Sequence, residues 1–359
     1  MSYQVSITDH SRSRFQASAV RLLIIGVGYI SGVLATVWAA AALYFDARPP
    51  FPGVLTAAAF LILIVGTLVI TRASRKGLFI WAGSIAAVLV WWFSLSPSNN
   101  RNWQPDVAKL PWGEVRGDQV TLHNIRNCDY VTETDYTPHW ESMTVDVSQI
   151  KGVDLFLIHW GSPWIAHAIV SFEITNGKYL ALSIKARKTV GQTYSAIRGF
   201  FRQYNLIYLL AEERDVIRVR TTFRKGEDVY LYRTKTTPAD SQQLFLAYVK
   251  WMNAIKSKPE WYNALTSNCT SGVVSYLAQA KVGGISKWDW RTLLNGRGDE
   301  MLYELGDLQI GDLPFTELKK QAFINPVARK ADDAPDFSQR IRAGRLGFSQ
   351  AGTPIPEAR

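Results

Sequence analysis

Few side chains in this sequence can do covalent chemistry, and Cys269 is the foremost of them. It stands in Leu265-Thr266-Ser267-Asn268-Cys269-Thr270-Ser271-Gly272, followed by the apolar run Val273, Val274, Tyr276 and Leu277. Thr266, Ser267 or Asn268 can cap a helix whose first turn holds the cysteine. A helix N-terminus is electropositive, so it favours the thiolate and lowers the thiol pKa. Its free backbone N–H groups can also receive a developing oxyanion. The plain alternative is a buried structural thiol.

A cysteine nucleophile needs an imidazole to take its proton. His167 follows Gly161–Ala166 and precedes the alternating stretch Ala168–Ile174. From the start of a strand, a rigid element can aim a base into a cleft. His159, at the end of Val153–His159, competes for that role, and any single histidine can be purely structural. His10 is cytoplasmic by the topology given below, and His123 and His139 lie in less patterned stretches. A third group would fix the imidazole tautomer. Alternation places Ala181, Ser183 and Lys185 on one strand face, and of these Ser183 can accept a hydrogen bond from the ring. The candidate catalytic set is therefore Cys269, His167 and Ser183.

Other clusters give less. Arg198, Arg202, Arg214, Arg218 and Arg220 suit a phospholipid headgroup by guanidinium–phosphate geometry, or are solvated charges on helix and strand faces. Asp129, Glu133 and Asp135 are close in sequence without a histidine at ligand spacing, so no metal is expected, and no cofactor motif is present. Trp160 and Trp164 flank Gly161-Ser162-Pro163 just before His167. They suit an acyl groove, a membrane interface or ordinary packing.

The elements that position these residues begin with a membrane anchor. Leu22–Phe45, Gly53–Thr71 and Gly77–Ser96 carry no charge, and each is about long enough to cross a hydrocarbon core of roughly 30 Å. The first run is too long for a cleaved signal peptide, and two more follow it. Arg12, Arg14 and Arg21 precede the first span, and Arg72, Arg75 and Lys76 separate the second from the third. The positive-inside rule then puts the N-terminus in the cytoplasm and the C-terminal domain outside, in the periplasm of a two-membrane cell.

Beyond a Ser-, Asn- and Pro-rich linker the pattern is α+β, with strands ahead of helices. Strands are expected at Gln119–Ile125 and Val153–His159. Ala168–Ile174 and Tyr179–Ile184 form a hairpin across Thr175-Asn176-Gly177. A further strand pair is read at Val216–Thr221 and Asp228–Arg233. Helical periodicity holds over Ala239–Lys256, with Pro238 at its start. A second helix runs from about Asn268 to Ala280, with helical patches at Met301–Leu305 and Glu317–Ala322. The expected divisions are an anchor at 1–96, a linker at 97–115, a catalytic domain at 116–337 and a charged, partly disordered tail at 338–359.

Composition narrows the partners. The net charge of +10 over 359 residues comes from Lys and Arg scattered among Asp and Glu. That argues for an anionic bilayer nearby and against nucleic acid. The two cysteines, Cys128 and Cys269, are too few for a disulfide framework and lack zinc spacing. Nothing in the pattern sets the oligomeric state.

Three stretches carry a specific resemblance: Asp154–Ser171 (DLFLIHWGSPWIAHAIVS), Tyr194–Tyr208 (YSAIRGFFRQYNLIY) and Trp261–Thr270 (WYNALTSNCT). They are similar to the Lnb N-terminal periplasmic domain family, over roughly Arg116 to Phe337. The resemblance implies lipoprotein N-acyltransferase chemistry with a cysteine–histidine pair, the cysteine role falling on Cys269 and the histidine role on His167. The order histidine, hairpin, Asn-Cys also resembles permuted papain-like folds, in which the base precedes the nucleophile. The expected activity is a membrane-anchored periplasmic cysteine acyltransferase or hydrolase, moving an acyl chain from phospholipid to a lipoprotein amine. A cysteine peptidase or amidase of the envelope shares the acyl-thioenzyme step, and a catalytically silent envelope scaffold is the non-enzymatic alternative. A pKa-lowered nucleophile makes a direct prediction: Cys269 alkylates faster than Cys128 near neutral pH in the folded protein. Equal rates would count against it.

Overall fold

The computed structural model describes residues 6–47, 52–175, 177–264, 291 and 295–348. The chain divides into two compact units, Met1–Ser96 with Phe201–Gln203, and Pro97–Phe200 with Tyr204–Arg359. The first unit holds the helices α1 (Ser6–Asp46), α2 (Gly53–Ile70) and α3 (Arg75–Ser94). Val20–Asp46, Gly53–Ile70 and Arg75–Ser94 are long and apolar enough to cross a membrane, with hydropathies of 2.0, 2.6 and 1.7. Helices apolar all round suit lipid, where each backbone group is satisfied inside its own helix. The few polar side chains pair across helices: Trp81 Nε1 donates to Thr36 Oγ1 at 2.9 Å, and Trp92 Nε1 donates to Asp46 Oδ2 at 2.8 Å.

The second unit is built on an eight-stranded sheet. Its strands are β1 (Trp112–Arg116), β2 (Gln119–Tyr130), β3 (Tyr136–Asp146), β4 (Ile150–Trp160), β5 (Ala166–Ile174), β6 (Lys178–Arg187), β7 (Asn205–Glu212) and β8 (Glu227–Arg233). The order is β1-β2-β7-β6-β5-β4-β8, with β3 also paired to β2. Pairings are antiparallel except β2 with β7, which run parallel at Arg126↔Ala211. The β5–β6 hairpin turns through Gly177 at φ 69°, a left-handed conformation that glycine adopts at no steric cost.

Both faces of the sheet are covered, so its central strands read as continuous apolar runs rather than alternating ones. On one face, α5 (Pro238–Ser257) lays Leu244, Phe245, Tyr248, Val249 and Met252 into a core with Leu155, Leu157, Val170 and Leu182. Thr237 caps that helix by accepting from the Asp240 N–H, and Pro238 occupies the first turn, where no N–H partner is needed. On the other face Phe156, Ile158, Ile169, Ala181 and Leu231 meet Ile324, Ala328, Phe337 and Ile341.

Three expectations change. Val216–Thr221 is helical: α4 spans Glu213–Val216 and a π-helical turn spans Val219–Phe223. A short apolar run does not separate strand from helix by period alone, and here Val216 and Ile217 pack on the second face. Asp228–Arg233 is a strand, but it pairs with β4. Pro97–Pro111 is more than a spacer, since it contains a 3₁₀ turn at Pro105–Val107, Trp103 bridges to Thr189, and β1 follows at Trp112. The alternation rule also passed over β3 and β7, one lying against β2 with a largely exposed pattern, the other buried almost throughout.

Of the C-terminal segment, the described residues Phe337 to Phe348 dock on the second face. Arg342, 3% exposed, donates to Asp154 Oδ2 at 2.9 and 2.7 Å and to Glu213 at 2.7 and 2.6 Å. Both carboxylates are fully buried, and Ser171 Oγ donates to Glu213 at 2.5 Å. Removing one partner from a buried ion cluster leaves uncompensated charge, at a cost of about 3–5 kcal/mol. Arg342→Met is accordingly expected to lower the unfolding free energy of the full chain in detergent by ~3–5 kcal/mol. Thermal or denaturant unfolding followed by tryptophan fluorescence checks it, and a change within ±0.5 kcal/mol would show the clamp to be dispensable.

Candidate active site

β5 and β6 run antiparallel with Ile169 opposite Ser183. Two residues back from Ile169, His167 lies on the same face and diagonal to Ser183, within reach of a side-chain contact. His167 Nε2 and Ser183 Oγ are 2.7 Å apart. In the Nε2–H tautomer the imidazole donates and the serine oxygen accepts, which leaves the Nδ1 lone pair free to take a proton. Ser183 is buried and His167 partly buried. Burial, then the cations Arg220, Lys185 and Arg224, hold the His167 pKa well below the usual imidazole value. The resting ring is a neutral base.

Those cations sit in a balanced network. Lys185 Nζ lies 3.0 Å from Asp106 Oδ2, and Arg126 Nη1 approaches the same oxygen at 3.3 Å. Arg126 also grips Asp215 through two bonds of 2.7 Å. This is the bidentate fork that guanidinium and carboxylate geometry favours. Asp215 further accepts from Tyr130 Oη at 2.9 Å and from the Cys128 N–H at 3.1 Å. Burial works against the charge on Asp106, yet Lys185 and Arg126 hold its carboxyl well below the usual range. Burial draws Lys185 down to about 8 against the pull of Asp106. Arg220 pairs with Glu227 at 2.9 Å, and Arg224 lies 3.2 Å from both Glu227 and Glu133.

The competing histidine faces the other way. His159 shares strand parity with Leu155 and Leu157, so it stands on the α5 face, whereas His167 shares the second face with Ile169. Its Nε2 is buried without a hydrogen-bond partner among the described residues, its ring meets Tyr230 edge-on with centroids 5.5 Å apart, and burial followed by Lys319 lowers its pKa. Cys128 is buried, and burial followed by Asp215 pushes its thiol up to about 12, so it stays protonated. Cys269 and the helix expected from Asn268 to Ala280 lie outside the described residues.

Several polar residues occupy places that sequence patterns left open. Arg218 pairs with Asp332 at 2.9 Å and Arg220 is buried on Glu227, so neither is a solvated surface charge. Trp160 and Trp164 are exposed, which removes ordinary core packing from their alternatives. Asp106 was assigned to a linker; its contacts with Lys185 and Arg126 span 79 and 20 positions, and no local pattern announces them. Alternation did place Lys185 beside Ser183.

Residues 136–296 match the Lnb N-terminal periplasmic domain family. The matched stretch contains His167, Ser183 and the position of Cys269, and leaves out the anchor and the docked C-terminal segment. No curated protein and no solved structure matches the chain. This family match and the three apolar helices together support a membrane-anchored protein with a periplasmic domain.

Within the matched stretch the electrostatics of His167 fix the sign of a pH effect. A base works only when unprotonated, so a lowered pKa extends the working range downward. Any His167-dependent reaction should keep its acid limb below 6.5, the ordinary imidazole value. Lys185→Met removes a neighbouring cation and should move that limb upward. Ser183→Ala should reduce turnover roughly three- to tenfold, the worth of one hydrogen bond of about 0.5–1.5 kcal/mol, and Ser183→Thr should restore it. pH–rate profiles of the variants decide, and an acid limb above 7 in the parent protein would contradict the depressed pKa.

Proposed function

We propose that the chain is a membrane-anchored periplasmic cysteine acyltransferase that moves an acyl chain from phospholipid to a lipoprotein amine. The observation that carries the reading is the His167–Ser183 hydrogen bond inside the domain that matches the Lnb family. It gives the base a neighbour that can fix its tautomer, while burial and then the surrounding cations keep it unprotonated. Cys269, in Asn268-Cys269-Thr270, is the nucleophile in this proposal.

In the first half-reaction Nδ1 of His167 takes the Cys269 proton as sulfur attacks the ester carbonyl of a phospholipid. The tetrahedral intermediate collapses, the C–O bond breaks, and the imidazolium returns the proton to the departing alkoxide. A thioester and a lysophospholipid result. In the second half-reaction the free amine attacks the thioester, the C–S bond breaks, and the amine proton passes through His167 to the thiolate. Because Ser183 is neutral, it orients the ring without stabilising the imidazolium by charge. Proton transfer and C–S bond formation are therefore closely linked, in contrast to a preformed thiolate–imidazolium pair. Confinement to a bilayer raises the effective concentration of both substrates. The positive-inside arrangement of Arg12, Arg14, Arg21, Arg72, Arg75 and Lys76 supports a cytoplasmic N-terminus and an external domain.

Mass spectrometry of lipoprotein N-termini tests the proposal in cells whose N-acylation depends on this chain. His167→Ala should cut N-acylation about 10²–10⁴-fold, and Cys269→Ala should abolish it. Intact N-acylation in the Cys269 variant overturns the transferase. If cleavage of an envelope amide is lost instead, the chain is a cysteine hydrolase, and if neither activity changes it is a scaffold.

A further inference from the structure

Two loops meet at the His167 end of the sheet. One joins β4 to β5 through residues 161–165, and the other leaves β6 after Arg187. Because β5 and β6 are antiparallel, the start of β5 and the end of β6 lie side by side, so both loops rim the same edge. The first presents Trp160, Trp164 and Ile165, and the second Val190, Ile197 and Phe200, each between 40 and 62% exposed. A rim that combines tryptophan, phenylalanine and branched aliphatics in the open is unusual for a surface left in water.

Its charge is one-sided as well. Gly161–Ile165 and Lys188–Phe200 contain no aspartate or glutamate, and their ionisable side chains are Lys188, Tyr194 and Arg198. Aromatic and aliphatic side chains with flanking cations and no carboxylates match the interfacial layer of an anionic bilayer. A bilayer is within reach, since the third candidate span ends at Ser94 and the second unit begins at Pro97.

We propose that this rim inserts into the interfacial layer of an anionic lipid bilayer, so that the His167 end of the domain works at the lipid surface. The proposal needs only the fold and the exposed loops. It stands whether the site transfers acyl chains, hydrolyses amides or does neither.

Site-directed spin labelling of the full chain tests it, in a Cys269→Ala background where the remaining Cys128 is buried. Labels go at Ile165→Cys and Ile197→Cys, with Lys178→Cys as the control. Lys178 is exposed and begins β6, so it stands at the far end of that strand from the rim, which follows Arg187. The protein sits in nanodiscs of mixed phosphatidylglycerol and phosphatidylcholine. Collision with molecular oxygen, which partitions into lipid, is compared with collision with a water-soluble nickel chelate. At the two rim sites oxygen should dominate and nickel accessibility should fall severalfold below that at residue 178. Replacing phosphatidylglycerol by phosphatidylcholine should shrink the contrast. Rim labels as open to nickel as the control overturn the proposal. Labels shielded from both reagents overturn it too, because protein rather than lipid would then cover the rim. A contrast that is unchanged without phosphatidylglycerol removes the anionic requirement. The readout does not depend on activity, so its failure is separable from failure of the acyl-transfer reading.

Discussion

Two carboxylates, Asp154 and Glu213, meet the guanidinium of Arg342 in the interior, and closure of the second sheet face depends on them. Burying either acid alone is expensive. Arg342 supplies hydrogen bonds to both, and Arg233 Nε lies 3.0 Å from Asp154 Oδ1. The apolar contacts of Phe337 and Ile341 are made on the same segment. The helix α4, which carries Glu213, also carries Asp215, so this clamp and the Arg126 network share one four-residue support. The polar environment of His167 is in this sense anchored from both ends of the sheet.

The chemistry proposed for the site follows from that anchoring. A histidine with a carboxylate partner gains stability as imidazolium. His167 has a hydroxyl partner instead, and burial, then the nearby cations, keep it in its basic form at rest. The surrounding ion pairs are internally matched: Asp106 with Lys185 and Arg126, Asp215 with Arg126, and Glu227 with Arg220. They hold the cations in fixed positions, so the field at the imidazole does not relax when a proton moves. Such preorganised charge is the form of electrostatics that protein sites use to best effect.

Much of this was legible in the sequence where a residue's partner lay within its own element or hairpin. The three apolar runs, the α5 stripe, the hairpin around Asn176-Gly177 and the Ser183–His167 pairing all rest on short-range periodicity, and the corresponding described elements and contact are present. What escaped depends on distant partners. Asp106 takes its meaning from Lys185 and Arg126. The helical state of Val216–Phe223 is tied to the cover from Ile324–Ala331. Arg342 sits in a charged, Pro-containing stretch whose composition resembles a solvated tail, and its burial is set by residues more than a hundred positions earlier. Composition records the charge of such a residue and says nothing about its counter-charge.

That distance has a consequence for how the domain is made. Arg342 follows Glu213 by 129 positions and Asp154 by 188, so each contact has to close a loop of more than a hundred residues. Until then the second face of the sheet lacks its cover and two interior acids lack their cation. Contacts of such long range slow folding. Before Arg342 docks, the apolar side chains that Phe337 and Ile341 cover on that face remain open to water.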